Sequence, residues 1–219
     1  MTDQTALKTR RKPAFGSHGS MDAPRAPDDF YRSPTHAMGM LLDTIAPERI
    51  ASPGGLVIDA GAGDGRLTEP LYAAGYNVRG VDLHDRDPHP YLPIIGGIDF
   101  LTLTAANLSN WGSLDSVVMN PPYSLAQDFV RHALALMSDG GEVHALLRHN
   151  WMCAARHADL LPCLRRVVMC ARHLKMMPAD KEHLDKGYGP AVDFSWFTFT
   201  KGLDSRAVEL IPARWRSLR

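Results

Sequence analysis

The chain has 219 residues, which is enough for one well-buried domain and too few for two full ones. Its 24 acidic and 24 basic residues give a net charge of zero, so the net charge provides no global attraction for nucleic acid. The sequence contains no run of 18 apolar residues, so it does not predict a membrane span. Its three cysteines are odd in number and lack a C-x-x-C spacing, which predicts reduced thiols in a cytoplasmic protein.

The composition divides the chain into three parts. Residues 1–27 are rich in Thr, Lys, Arg, Pro, Gly and Ser without an apolar period, so we expect a flexible basic arm, and they lack the apolar stretch of a secretory signal. Residues 28–202 carry the patterns of one folded domain, and residues 203–219 are expected to form a basic tail.

The first predicted helix follows a short segment that contains Tyr31. Ser33 and Pro34 are typical of a helix start, as a cap and a first-turn residue, and the apolar residues between positions 36 and 45 fit a helical period. We therefore expect the domain to open with this helix.

A buried strand at residues 55–60 leads into a glycine-rich turn and a second helix. Gly61, Gly63 and Gly65 allow the backbone to bend sharply and to approach a ligand closely. A dinucleotide fingerprint would need a third glycine where Arg66 stands, so the turn predicts a different ligand.

Two further strand ends carry acidic residues. The strand at residues 77–82 ends in Asp82, 23 positions beyond Asp59. A doubly wound fold places at this point the carboxylate that accepts hydrogen bonds from both ribose hydroxyls. Asp99 and Phe100 follow the next strand. The loop at residues 83–90 holds two histidines and two aspartates, but it has no ordered ligand spacing, so we expect no metal site.

The central motif is Asn120, Pro121, Pro122 and Tyr123, directly after the apolar run 116–119. Proline cannot donate to a sheet, so a strand ends here in a rigid turn, and ligands bind at such strand ends in open α/β sheets. The Asn120 side-chain oxygen and the Pro121 carbonyl are two acceptors that could converge on one planar NH₂ group. Tyr123 offers a flat face on which a base could stack.

The remaining elements follow in an alternating order. We predict a helix at 124–137, a strand at 142–148, a helix at 151–164, a strand at 167–170 and an alternating strand at 192–200, with a polar loop at 175–190. Basic residues of this half form a candidate nucleic-acid-binding patch, although a solvated surface explains them as well: Arg148, Arg156, Arg165, Arg166 and Lys175.

These motifs together resemble class I S-adenosylmethionine-dependent methyltransferases. Asp59-x-Gly61-x-Gly63 resembles motif I, the segment from Tyr31 to Pro34 resembles motif X, Asp99-Phe100 resembles motif III, and residues 120–123 resemble motif IV of enzymes that modify planar amino nitrogens. Residues 28–202 look like the small, phage-type adenine-specific DNA methyltransferases.

The resemblance implies a fold, a cofactor and a reaction. It implies a three-layer, doubly wound, Rossmann-like α/β fold whose mostly parallel sheet has seven strands, the last antiparallel. It also implies S-adenosyl-L-methionine bound by the residues at positions 31, 33, 34, 59, 61, 63, 65, 82, 99, 100 and 120, and methyl transfer to the exocyclic amine of a flipped-out DNA adenine held by residues 120–123.

Three alternatives stay open. Amino groups in RNA and the glutamine amide of a protein can use the same tetrapeptide, and a methyltransferase fold can serve as a catalytically silent binding subunit. The chain has no room for a separate target-recognition domain, so the recognition of a DNA site depends on the basic patch, on the loop at 175–190 or on a partner. The sequence does not predict an oligomeric state.

Overall fold

The computed structural model describes residues 30–34, 36–170, 174, 176–178, 193–205 and 207–213. Within these ranges no helix has the length and apolar character needed to cross a membrane.

The described residues form ten strands and four α-helices. In chain order they are β1 (Tyr31–Arg32), α1 (His36–Thr44), β2 (Leu56–Ala60), α2 (Thr68–Ala73), β3 (Asn77–Val81), β4 (Ile94–Ile95), α3 (Ala105–Leu108), β5 (Leu114–Met119), α4 (Ala126–Leu136), β6 (Glu142–Arg148), β7 (Leu164–Met169), β8 (Met177–Pro178), β9 (Phe194–Thr200) and β10 (Glu209–Pro212). Short 3₁₀ turns lie at Pro47–Arg49, Phe100–Thr102, His149–Cys153, Ala155–His157 and Leu161–Cys163.

Eight of the strands form one sheet in the order β10-β7-β9-β6-β5-β2-β3-β4. Strand β9 runs antiparallel to both β6 and β7, and the other neighbouring pairs are parallel. The predicted Rossmann-like α/β fold, with a mostly parallel sheet and an antiparallel strand, is confirmed. The small second sheet pairs β1 with β8 in antiparallel register.

The sheet is covered by helices on both faces, which gives three layers. Side chains of β2 alternate between the two cores: Ile58 packs with Phe129 of α4, whereas Val57 packs with Met38 of α1 and Leu71 of α2. This double burial explains why the central strands read as nearly continuous apolar runs.

Strand β9 is also anchored to the first helix. The Trp196 side chain is fully buried, and its indole Nε1 donates a hydrogen bond to the Ala37 carbonyl at 2.9 Å. Helix α1 is thereby held against the sheet close to the segment at residues 30–34.

Two features of the fold differ from the sequence prediction. The helix expected at 151–164 is instead a series of 3₁₀ turns. The Trp151 ring stacks on His157 at 3.8 Å between centroids, and His157 Nδ1 lies 2.6 Å from the Trp151 carbonyl, so the segment folds back on itself. The sheet also extends beyond residue 202, because β10 adds an eighth strand beside β7.

Candidate active site

A cavity of about 460 Å³ opens at the carboxyl ends of β2, β3 and β5. This volume lies within the range of small-molecule sites. The structure brings most of the sequence-predicted residues to its wall: Tyr31, Ser33, Gly61, Asp82, Asp99, Phe100, Asn120, Pro121, Pro122 and Tyr123. Four residues of the predicted cofactor-binding set do not line it: Pro34, Asp59, Gly63 and Gly65.

The glycine turn shapes one wall of the cavity. Gly61 adopts a positive φ of 73° and lines the cavity, whereas Gly63, with a φ of 58°, packs beneath Phe30. A Cβ atom at Gly63 would lie 2.7 Å from the Phe30 ring, closer than such atoms approach in proteins. Gly63 therefore allows residue 30 to close over the turn.

Asp82 is held at the cavity by two backbone hydrogen bonds. Its Oδ2 accepts from the Gly63 amide at 2.9 Å, and its Oδ1 accepts from the His84 amide at 2.9 Å. The residue is 9% exposed, and Arg86 Nε lies 3.9 Å from Oδ1. Each carboxylate oxygen has a second lone pair, so this fixed carboxylate can still accept from a ligand hydroxyl.

Asp59 lies beneath the turn and not in the cavity. Its carboxyl is fully buried, its Oδ2 accepts a hydrogen bond from Thr68 Oγ1 at 2.7 Å, and its Oδ1 has no hydrogen-bond partner among the described residues. Burial raises the pKa of Asp59 to about 7 against the opposing effect of the Thr68 hydrogen bond. The structure therefore places Asp59 beneath the glycine turn, where it can support the turn, and not at the cavity wall.

Asp99 and Phe100 also line the cavity. Asp99 Oδ1 accepts from the Leu101 amide at 2.9 Å and so caps the 3₁₀ turn that follows. Phe100 is nearly buried and packs against Phe129, with 5.2 Å between ring centroids. The pair thus presents a carboxylate and an aromatic edge on a rigid turn.

Asn120 follows β5 directly. Its Nδ2 donates to the Tyr31 carbonyl at 3.2 Å and to Ser33 Oγ at 3.0 Å. Its Oδ1 is buried and has no hydrogen-bond partner within the described part of the chain. A buried acceptor without a partner costs free energy, so the site is prepared to receive a donor.

Tyr123 lies among other aromatic and cationic groups. Its ring stacks on Tyr31 with 5.2 Å between centroids and an interplanar angle of 27°, and the Phe194 ring lies 6.0 Å away. The guanidinium of the exposed Arg148 lies 5.1 Å from the centroid of the Tyr123 ring. Part of the ring surface is therefore already covered.

Two contacts of arginine side chains at the cavity wall were not predicted from the sequence. Arg32 Nε lies 2.9 Å from Asp64 Oδ2, and the Arg86 guanidinium lies 4.4 Å from the centroid of the Phe30 ring. Asp64 stands within the glycine turn and could have been noticed for that reason. Its pairing with a residue 32 positions upstream follows no local period.

The basic patch is only partly available to a polyanion. Arg166 is buried, and its guanidinium lies 2.9 Å from Glu142 and 3.6 Å from Glu209, so this predicted nucleic-acid contact is not exposed to a polyanion. Arg148 and Arg156 are exposed, and Arg165 is half-buried. Lys175 lies outside the described residues, as does most of the loop at 175–190. Among the described residues no group of three or more His, Cys, Asp or Glu side chains could hold a metal ion.

No protein-family model and no curated protein sequence matches the chain. Solved structures do match. A predicted O-methyltransferase from Agrobacterium tumefaciens has a TM-score of 0.53 and 18% identity, with 82% of this chain and 88% of that chain covered. The type IIG restriction endonuclease BpuSI has a TM-score of 0.52 and 16% identity over 80% of this chain and 26% of that chain.

A third match is a Listeria monocytogenes protein assigned as a class I S-adenosylmethionine-dependent methyltransferase, with a TM-score of 0.50 and 13% identity over 86% of this chain and 65% of that chain. At these identities the likeness concerns the fold alone. The three-layer arrangement described above is a Rossmann-like α/β fold similar to that of these solved structures.

Proposed function

We propose that the chain catalyses the S-adenosylmethionine-dependent transfer of a methyl group to the exocyclic amino group of adenine in DNA. The observation that carries this proposal is the buried Asn120 Oδ1, which has no hydrogen-bond partner among the described residues. Asn120 follows strand β5 and lines the same cavity as Asp82 and Phe100. A hydrogen-bond acceptor in that position matches an amine and not a carbonyl.

The cavity has groups that suit the cofactor. Asp82 has lone pairs for the ribose hydroxyls, Asp99 can accept from the adenine amino group, and the Phe100 edge can contact the adenine ring. Gly61 exposes backbone at the same wall, where a side chain would fill the space. Once bound, S-adenosylmethionine supplies an electrophilic methyl group on a positively charged sulfur.

The tetrapeptide would activate the target nitrogen. The lone pair of an aryl amine is delocalised into the ring, so the nitrogen is a weak nucleophile until acceptors hold its hydrogens. Asn120 Oδ1 and the Pro121 carbonyl accept hydrogen bonds from the amine and stabilise the positive charge that develops on its nitrogen as the methyl group leaves the sulfur. The methylated nitrogen then releases one proton to solvent. Because the two prolines restrict the turn after β5 and two hydrogen bonds hold the Asn120 amide, little reorganisation accompanies the reaction.

The target base has to leave its stack to reach this position. An adenine within a duplex cannot contact a buried acceptor, and extruding it costs a few kcal/mol in paired DNA and less when it is mismatched or single-stranded. Tyr123 would then stack the base. The exposed Arg148 guanidinium lies over the Tyr123 ring. It can move away from the ring and contact the phosphate backbone.

Transfer of labelled methyl groups from S-adenosylmethionine to DNA, RNA and protein, followed by nucleoside and amino-acid analysis, tests the proposal. We expect N6-methyladenine in DNA, formed at least as fast from mismatched or single-stranded sites as from paired ones. Transfer to RNA or to a glutamine amide alone would refute the DNA assignment, and no transfer to any substrate would support the silent-subunit alternative.

Asn120→Ala is the diagnostic variant. Its turnover should fall roughly a hundredfold or more, because one preorganised polar group is lost, while its affinity for S-adenosylmethionine stays unchanged. Asn110→Ala is the matched control, since Asn110 is exposed and absent from the cavity wall. Turnover of Asn120→Ala within a few fold of the control would contradict the role of the tetrapeptide.

A further inference from the structure

We infer that Ser33 is a positioning residue: its hydroxyl helps to hold the Asn120 side-chain amide in the orientation that the Tyr31 carbonyl selects, in which Oδ1, and not Nδ2, faces the target amine. The inference rests on the proposed function, in which Oδ1 accepts a hydrogen from that amine. It gives Ser33 a role that differs from the cofactor contact expected from the sequence.

The orientation of the amide follows from the chemistry of its neighbours. Nδ2 lies 3.2 Å from the Tyr31 carbonyl oxygen and 3.0 Å from Ser33 Oγ. A backbone carbonyl can only accept a hydrogen bond, so a rotated amide would place two acceptor oxygens against each other. A third neighbour, Met176 Sδ at 3.9 Å, is also a weak acceptor.

The two donors of the amide are therefore both used. An NH₂ group has two hydrogens, and Tyr31 and Ser33 provide one acceptor for each. The oxygen is left at the cavity, buried and without a partner among the described residues. The hydrogen bonds made by Nδ2 therefore leave Oδ1 as the acceptor that the proposed reaction needs.

The position of Ser33 suits such a role. It is 7% exposed, and it lies 87 positions before Asn120 on the segment that follows β1. Its removal would leave the Tyr31 carbonyl in place, so the amide would keep its preferred orientation but be held by one hydrogen bond instead of two. We therefore expect a graded effect and not a complete loss.

A spectroscopic test needs no activity. The chain has five asparagines, so selective ¹⁵N-asparagine labelling gives few side-chain NH₂ signals, and the Asn120 pair is assigned by its loss in Asn120→Ala. Both Asn120 amide protons should be protected from solvent exchange in the wild type. In Ser33→Ala one of them should exchange about 3 to 10 times faster, which is the effect of one hydrogen bond.

Two variants serve as controls for this measurement. Ser33→Thr retains the hydroxyl and should restore the protection. Ser116→Ala removes the buried hydroxyl of a different serine, which lies on strand β5 just before Asn120. This variant should leave the Asn120 signals unchanged. Unchanged exchange in Ser33→Ala, or an equal change in Ser116→Ala, would overturn the inference.

A kinetic cycle tests the catalytic consequence. Ser33→Ala should lower kcat about 3- to 10-fold, with the KM for S-adenosylmethionine unchanged, and should cause no further loss in an Asn120→Ala background. An equal loss in both backgrounds would show that Ser33 acts independently of Asn120 and would overturn the inference. If the wild type methylates no substrate, the proposed function fails, and the exchange measurement still decides whether Ser33 orients the amide.

Discussion

Replacing Asp59 with Asn should change how the stability of the protein depends on pH. Burial raises the pKa of Asp59 from 3.8 to about 7. Between these values the folded chain holds a proton that the unfolded chain has released. The contribution of Asp59 to the free energy of unfolding is therefore fully present below pH 3.8, decreases as the pH rises through about 7, and then levels off.

The size of the effect follows from the two pKa values. At about 1.36 kcal/mol per pKa unit, the free energy of unfolding of the wild type relative to Asp59→Asn should fall by about 2.6 kcal/mol between about pH 5 and about pH 8. An Asn amide does not titrate. Any cost of burying it shifts the stability of the variant by the same amount at both pH values and cancels from the comparison.

Urea unfolding of both proteins at these two pH values, with linear extrapolation to zero denaturant, measures the difference. Asp128→Asn is the matched control, because its carboxylate is 56% exposed on α4. Parallel pH profiles for the wild type and Asp59→Asn would refute the reasoning, since they would mean that Asp59 releases its proton equally easily in the folded and unfolded chains.

Variants at four further positions test other parts of the structure. Asp82→Ala should weaken S-adenosylmethionine binding by about 1.5 to 3 kcal/mol in calorimetric titration without unfolding the chain, and unchanged affinity would remove Asp82 from the site. Tyr123→Ala should cost about 1 to 3 kcal/mol in kcat/KM through lost stacking while Tyr123→Phe is much milder, and equal losses would contradict base stacking. Arg166→Ala should destabilise the fold by about 3 kcal/mol, because the buried Glu142 loses its partner at 2.9 Å and keeps the half-exposed Arg49 at 3.5 Å, and the salt dependence of DNA binding should not change. A flatter salt dependence at unchanged stability would contradict the buried pair. Burial lowers the pKa of His144 from 6.5 to about 3, so its stabilising effect is present above pH 6.5 and decreases as the pH falls. Relative to His144→Gln, the wild type should lose about 3 kcal/mol between about pH 7 and about pH 4, and parallel profiles would exclude a buried neutral imidazole.

The sequence predicted the position of the candidate site better than its contacts. Carboxyl ends of parallel strands meet at one edge of a sheet, so finding Gly61, Asp82 and Asn120 after successive apolar runs is enough to predict that they converge. The predicted turn after β5 follows equally from two prolines, whose backbone chemistry is local.

Long-range partners could not be predicted in this way. Arg166 on β7 pairs with Glu142 on β6 across the intervening strand β9. The basic residues near Arg166 in the sequence give no indication of that strand order. Asp59 also illustrates the limit: its place in a motif indicated function, but whether a strand-end carboxylate faces the cavity or the layer beneath depends on packing that only the structure shows.

The segment at residues 30–33 contacts both halves of the cavity. Arg32 pairs with Asp64 on the glycine turn, while Ser33 and the Tyr31 carbonyl hold Asn120 on the turn after β5. A ligand that shifts this segment in one half therefore changes the free energy of binding in the other half, and thermodynamic linkage requires the two effects to be equal. Under the proposed function, the cofactor and the target amine would then bind as a cooperative pair, with each affinity altered by the same factor when the other ligand is present.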